Sequence, residues 1–94
     1  MREYEVIFIL HPDLDENTIN DSITKVKTWI TDADGSIVKE DIWGKKRLAY
    51  EIQKQREGFY VLLHTQMEPT FIHELENSMK LMEPVMRYIV TKVE

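Results

Sequence analysis

Apolar residues run almost without a break from Tyr4 to Leu10, many of them β-branched or aromatic, and predict a central strand covered on both faces. His11-Pro12-Asp13 ends it, because proline cannot donate to a strand ladder. Asp15 then offers a side-chain acceptor for a helix N-terminus, with Glu16 favourable at the positive end of the dipole. Beyond it Ile19, Ile23, Val26 and Ile30 recur at spacings of four, three and four, one apolar stripe of a helix reaching about Thr31, with Trp29 at its margin. Asp34-Gly35 supplies a turn.

Ser36–Ile52 reads as one long strand, first through Ile37, Val38 and Ile42, then through Leu48, Tyr50 and Ile52. Gly44 in its middle marks a bulge or bend that re-aims the residues after it, plain flexibility being the alternative. Gln53–Gly58 is polar and ends in glycine, the pattern of a hairpin loop. Phe59–Met67 is the next strand. Pro69 and Thr70 open a second helix whose stripe is Ile72, Leu75, Met79 and Met82, and Pro84 stops it. Val85–Val93 is the last strand.

The order βαββαβ predicts an α+β fold of the ferredoxin-like kind, a four-stranded antiparallel sheet with both helices on one face and the first and third strands central. Residues 1–94 form a single domain in this reading, without linkers or repeats. Two helices cover only one face. If Val6, Phe8 and Leu10 point at them, Ile7 and Ile9 point away, and the same alternation sends Val61 and Leu63 inward and Tyr60 and Leu62 outward. Ile7, Ile9, Tyr60 and Leu62 then form an apolar patch that marks a protein partner, unless long side chains and loops shield it.

With 43% apolar and 31% charged residues, the composition is that of a folded domain. No cysteine is present, which removes disulfides and thiolate metal sites. The longest unbroken apolar runs, such as Val6–Leu10, are far short of a membrane span, and the N-terminus enters a strand pattern with no signal-peptide region, so the chain is expected to stay in the compartment where it is made. Enzymatic chemistry finds no footing. His11, His64 and His73 share no metal-ligand spacing, the acids are dispersed, and neither a glycine-rich phosphate loop nor a nucleophile motif occurs. No metal, cofactor or small-molecule substrate is expected.

Charge changes the picture in one place. The formal net charge is −5, yet Lys45, Lys46 and Arg47 stand in a row, and without them the balance would be −8. Lys54 and Arg56 come next, so five of the twelve basic residues fall between Lys45 and Arg56. A short charge run is ordinarily a solvated surface. In an acidic protein, however, such a patch is the place where a polyanion is not repelled, and its cations suit phosphate contacts. Trp43 and Tyr50 flank it and suit either packing or base stacking. In a regular strand Lys45 and Arg47 share a face and Lys46 points the other way, so gathering all three needs distortion near Gly44. Arg2 and Lys92 are expected at the sheet end that holds Lys54 and Arg56, as a second basic cluster. Arg87, alone on the last strand, is a further candidate.

Gly44-Lys-Lys-Arg-Leu-Ala-Tyr-Glu-Ile52 resembles the signature of the bacterial small-subunit ribosomal protein six family. The likeness extends to Met1-Arg2-Glu3-Tyr4-Glu5, Gly58-Phe59-Tyr60 and Val85-Met86-Arg87-Tyr88, nearly the whole chain. Departures are Gln53, where the family usually has a basic or small residue, and the stop at Glu94, where many relatives carry a longer tail. The resemblance implies the same ferredoxin-like fold. It also implies a structural, non-enzymatic role in the small ribosomal subunit, binding its RNA together with small-subunit ribosomal protein eighteen, in the cytoplasm or a bacterial-type organelle. Three rivals remain. Arg56-Glu57-Gly58-Phe59-Tyr60-Val61-Leu62 loosely echoes the sheet motif of RNA-recognition-motif domains, whose aromatics stack single-stranded bases, although Val6-Ile7-Phe8-Ile9-Leu10 matches the companion motif only in part. A small-molecule-sensing ferredoxin-like domain is another, and a pure protein-interaction module using the open apolar face is a third.

Overall fold

The structure is a computed structural model that describes residues 1–52 and 54–93; Gln53 and Glu94, where two departures from the family pattern fall, lie outside the described residues. Its elements are β1 (Arg2–Leu10), α1 (Glu16–Asp32), β2 (Ser36–Ile52), β3 (Gln55–Met67), a 3-10 turn (Pro69–Phe71), α2 (Ile72–Lys80) and β4 (Val85–Lys92). β1 pairs antiparallel with β3 and β4, and β2 with β3, giving the sheet order β2-β3-β1-β4. The expected ferredoxin-like α+β architecture is present, with β1 and β3 central.

The expected cap holds α1. Thr18 N–H donates to Asp15 Oδ1 at 3.2 Å, and hydrogen bonding to Thr18, through its side chain first and its backbone second, holds the Asp15 pKa below the ordinary 3.8. The core lies between the sheet and the helices. Val6, Phe8 and Leu10 of β1 and Val61 and Leu63 of β3 are fully buried against Val26 and Ile30 of α1 and Leu75 and Met79 of α2. Thr65 is also buried on this face, and its hydroxyl donates to the Tyr4 carbonyl at 3.2 Å, so the polar group is satisfied. Met82 lies beyond the end of α2, yet still packs against the core.

One boundary differs from expectation. The segment read as a loop, Gln53–Gly58, is already strand from Gln55, with Ile52 opposite Gln55, Arg47 opposite Glu57 and Lys46 opposite Gly58. Gly58 is a buried strand residue, and a Cβ built on it would overlap Ile9 Cγ2. Its glycine serves close packing, not a turn.

Candidate interaction surfaces

The register orders the face away from the helices into rows. Crossing from β2 to β4, one row is Gly44, Tyr60, Ile9 and Arg87. The next is Asp41, Leu62, Ile7 and Ile89, and beyond it Lys39, His64, Glu5 and Thr91. Ile7, Ile9, Tyr60 and Leu62 thus share one face, as alternation required. Ile89 joins them with 48% of its surface exposed, a member that the same alternation along β4 would have found.

This patch is not bare. Strand β2 departs from regular pairing three times. Between Ile42 and Gly44 it gains a residue on β3, and Gly44 takes φ +78°, a conformation that glycine adopts without a Cβ penalty. Trp43 at this bulge stacks on Tyr60, with ring centroids 6.1 Å apart and planes 22° apart. Between Arg47 and Ile52, β2 advances five residues while β3 advances two, from Glu57 to Gln55. The surplus arches out as an arm. Although β2 and β4 occupy opposite edges of the sheet, Arg87 Nη1 donates to the Tyr50 hydroxyl, and the guanidinium carbon lies 5.9 Å from the Tyr50 ring centroid. The arm therefore crosses the open face. Leu48, Tyr50 and Ile52 from the arm and Ile7, Ile9 and Tyr60 from the sheet line a cavity of about 200 Å³. Ile9 is consequently buried, while Ile7, Tyr60 and Leu62 are half-buried. The expectation of an uncovered patch is corrected to that of a partly sheltered one.

The basic stretch lies at the hairpin end, and Lys45, Lys46, Arg47, Lys54 and Arg56 are all exposed. The Gly44 bulge precedes the run and does not gather its three cations onto one face. It shifts the register so that Lys45 and Arg47 stand opposite Phe59 and Glu57, and Lys46 opposite Gly58 on the open-face side. Arg56 Nε approaches Glu51 Oε2 at 3.8 Å, an exposed pair that contributes little in water. Lys45, Lys46, Arg47 and Lys54 form no ion pair with any of the described residues.

The expected second basic cluster is not formed. Arg2 stands opposite Met67 and Lys92 opposite Tyr4, at the far end of the sheet from the hairpin. Antiparallel pairing requires this, since the start of β1 lies beside the end of β3. The separation from Arg56, eleven residues along β3, is roughly 35 Å at about 3.3 Å per residue. Arg87 is at the hairpin end but is engaged by Tyr50 at the border of the apolar patch. Among the described residues no group of three or more His, Asp or Glu side chains is placed to hold a metal ion, and no helix is long and apolar enough to cross a membrane.

The sheet order, the two helices on one face and the arm over the other define a ferredoxin-like domain. Known proteins narrow this further. The sequence profile of ribosomal protein S6 matches residues 3–92. Over all 94 residues the chain is 43% identical to the small ribosomal subunit protein bS6 of Moorella thermoacetica, covering 96% of that protein. It is 44% identical to bS6 of Clostridium kluyveri, covering 99% of it. The crystal structure of 30S ribosomal protein S6 from Thermotoga maritima superposes with a TM-score of 0.93 at 29% identity, covering 98% of this chain and 87% of that one. The chain belongs to the ribosomal protein S6 family, small-subunit ribosomal proteins and not enzymes. A CheA P2 domain of Thermotoga maritima, TM-score 0.64 at 15% identity, shares the fold alone.

Proposed function

We propose that this protein is a structural component of the small ribosomal subunit that binds its ribosomal RNA together with small-subunit ribosomal protein eighteen. It does so as one domain, on ribosomes of the cytoplasm or of a bacterial-type organelle. The RNA contact is the hairpin arm with Lys45, Lys46, Arg47, Lys54 and Arg56, and the partner protein meets the face of Ile7, Ile9, Tyr60 and Leu62. Arg87 borders the second surface, and Arg2 is remote from the first. The observation that carries the reading is segregation: in a chain of net charge −5, five exposed cations share the hairpin end that carries the arm. An acidic body that repels phosphates leaves that arm as the place where RNA is welcome.

A salt titration tests it. Replacing Lys45, Lys46 and Arg47 by glutamine should weaken binding to ribosomal RNA across sequences, with the partner protein present throughout. The slope of log affinity against log salt should become shallower by about 0.7–0.9 per residue replaced. Lines of equal slope and affinity for wild type and variant would refute the contact. Loss of RNA binding on Tyr60→Ala but not on the triple replacement would favour the RNA-recognition-motif rival. Against that rival stands the stacking of Trp43 on Tyr60, which occupies an aromatic surface a base would need.

A further inference from the structure

A hollow opens on the helix side of the sheet, at the hairpin end. Ile42 stands opposite Val61, which is fully buried, yet is itself 48% exposed, so this part of the β2 edge lacks the cover its neighbour has. Leu14 before α1, Ile19 on α1, Ile42 on β2 and Phe59 on β3 wall a cavity of about 500 Å³. Sites for small organic groups span about 300–1,000 Å³. Three polar side chains share its rim: Glu16 and Asn20, four residues apart and so on one face of α1, and Lys45 of β2. Among the described residues none of the three makes a side-chain hydrogen bond or an ion pair. The Gly44 bulge puts Lys45 there. In unbroken pairing from Ile42 and Val61, Lys45 would stand opposite Gly58, toward the open face. The extra residue moves it opposite Phe59 and carries Arg47 to the same side.

We infer that this hollow receives one unpaired guanine of the bound RNA, whose phosphates lie on Lys45 and Arg47. The inference rests on the proposal that the hairpin end binds RNA, and adds a base-reading site to its phosphate contacts. Guanine fits the rim donor for acceptor. Its Watson–Crick edge offers two N–H groups, at N1 and N2, to the two oxygens of the Glu16 carboxylate, and its O6 accepts from the Asn20 amide. The other three bases present only one donor group on that edge. Splayed-out bases are read in this way by proteins that also place aromatic or apolar side chains against the ring, which Phe59 and Ile42 supply. Charge sets the direction. Asp13 and Asp15 are exposed beside Glu16 and repel phosphate, so the RNA backbone keeps to β2 and the base points at α1.

The test uses the full chain bound to small-subunit ribosomal RNA with the partner protein present, probed with kethoxal, which adds to N1 and N2 of unpaired guanines. Wild type should shield one guanine that becomes reactive with Glu16→Gln and with Ile42→Glu, thermal melts confirming the fold of each variant. Glu16→Gln should also weaken RNA binding about tenfold, as loss of one bidentate base contact does. Its salt slope should stay that of wild type, because no cation is lost. Should Ile42→Glu destabilise the sheet, Glu16→Gln alone decides. Equal reactivity at every guanine in wild type and variants overturns the inference, and so does a change confined to adenines probed with dimethyl sulfate. Replacing Lys45, Lys46 and Arg47 by glutamine separates the two levels. If that leaves affinity and salt slope unchanged, the RNA proposal fails and the inference with it. If it weakens binding while the Glu16 and Ile42 variants behave as wild type, only the present inference fails. Loss of partner-protein binding on Ile42→Glu with the guanine still shielded would assign the hollow to a protein and overturn it as well.

Discussion

Gly58→Ala tests how closely the hairpin end of β3 packs on β1. The residue sits in β3 opposite Lys46, where an added Cβ overlaps Ile9 Cγ2 and comes within 3.6 Å of Leu48 Cδ2 and 3.7 Å of the Leu10 carbonyl oxygen. Two effects compete. Replacing glycine by alanine at a compatible position stabilises by about 0.4–1 kcal/mol, because the unfolded chain loses freedom. Forcing an extra carbon into a packed site costs about 1–3 kcal/mol. Ile9 is itself 8% exposed and pinned between Tyr60 and Arg87 in its row, so its methyl has little room to yield, and the cost wins. The expected net loss is about 1–2 kcal/mol. For a domain of this size that lowers Tm by roughly 4–8 °C per kcal/mol. In urea it moves the midpoint down by about 1 M with an unchanged slope. The decisive measurement is a double-mutant cycle with Ile9→Ala, which removes the obstructing methyl at its own cost. In that background Gly58→Ala should be neutral or stabilising, a coupling that contacting residues show and independent ones do not. An equal loss in both backgrounds would mean that Gly58 and Ile9 do not touch, and that the hairpin end of β3 does not pack on β1 as described.

Leu75, fully buried on α2, should cost about 2–5 kcal/mol on truncation to alanine in chemical denaturation, and a neutral result would remove α2 from the core. Asp15→Asn separates the charge of the α1 cap from its acceptor. The folded-state pKa of Asp15 is lowered, so its stabilisation is present above pH 3.8 and is lost as pH falls through the folded value. Wild type should therefore lose more stability than Asp15→Asn in melts below about pH 4, and coincident pH profiles would contradict the assignment.

The sequence by itself determined the elements and the inward set. The two-residue alternation around Val6, Phe8 and Leu10, the three- and four-residue spacing from Ile19 to Ile30, and the capping aspartate are local patterns, and local patterns set local structure. They yielded β2 with its observed limits, and the signature from Gly44 to Ile52 indicated the family; between a bulge and plain flexibility at Gly44 the structure decided for the bulge. What the tertiary structure decided depends on pairs of residues distant in sequence. Arg2 and Lys92 fell at the opposite end from Lys54 and Arg56 because strand direction and register set that placement, not the residues themselves. Gly58 looked like a loop terminus, since a glycine needed for close packing and one needed for a turn carry the same letter. The shelter over Ile7 and Ile9 was hidden for the same reason. It arises from surplus residues in one strand relative to its partner, which become visible only when the two are paired, and from Tyr50 meeting Arg87 across the full width of the sheet.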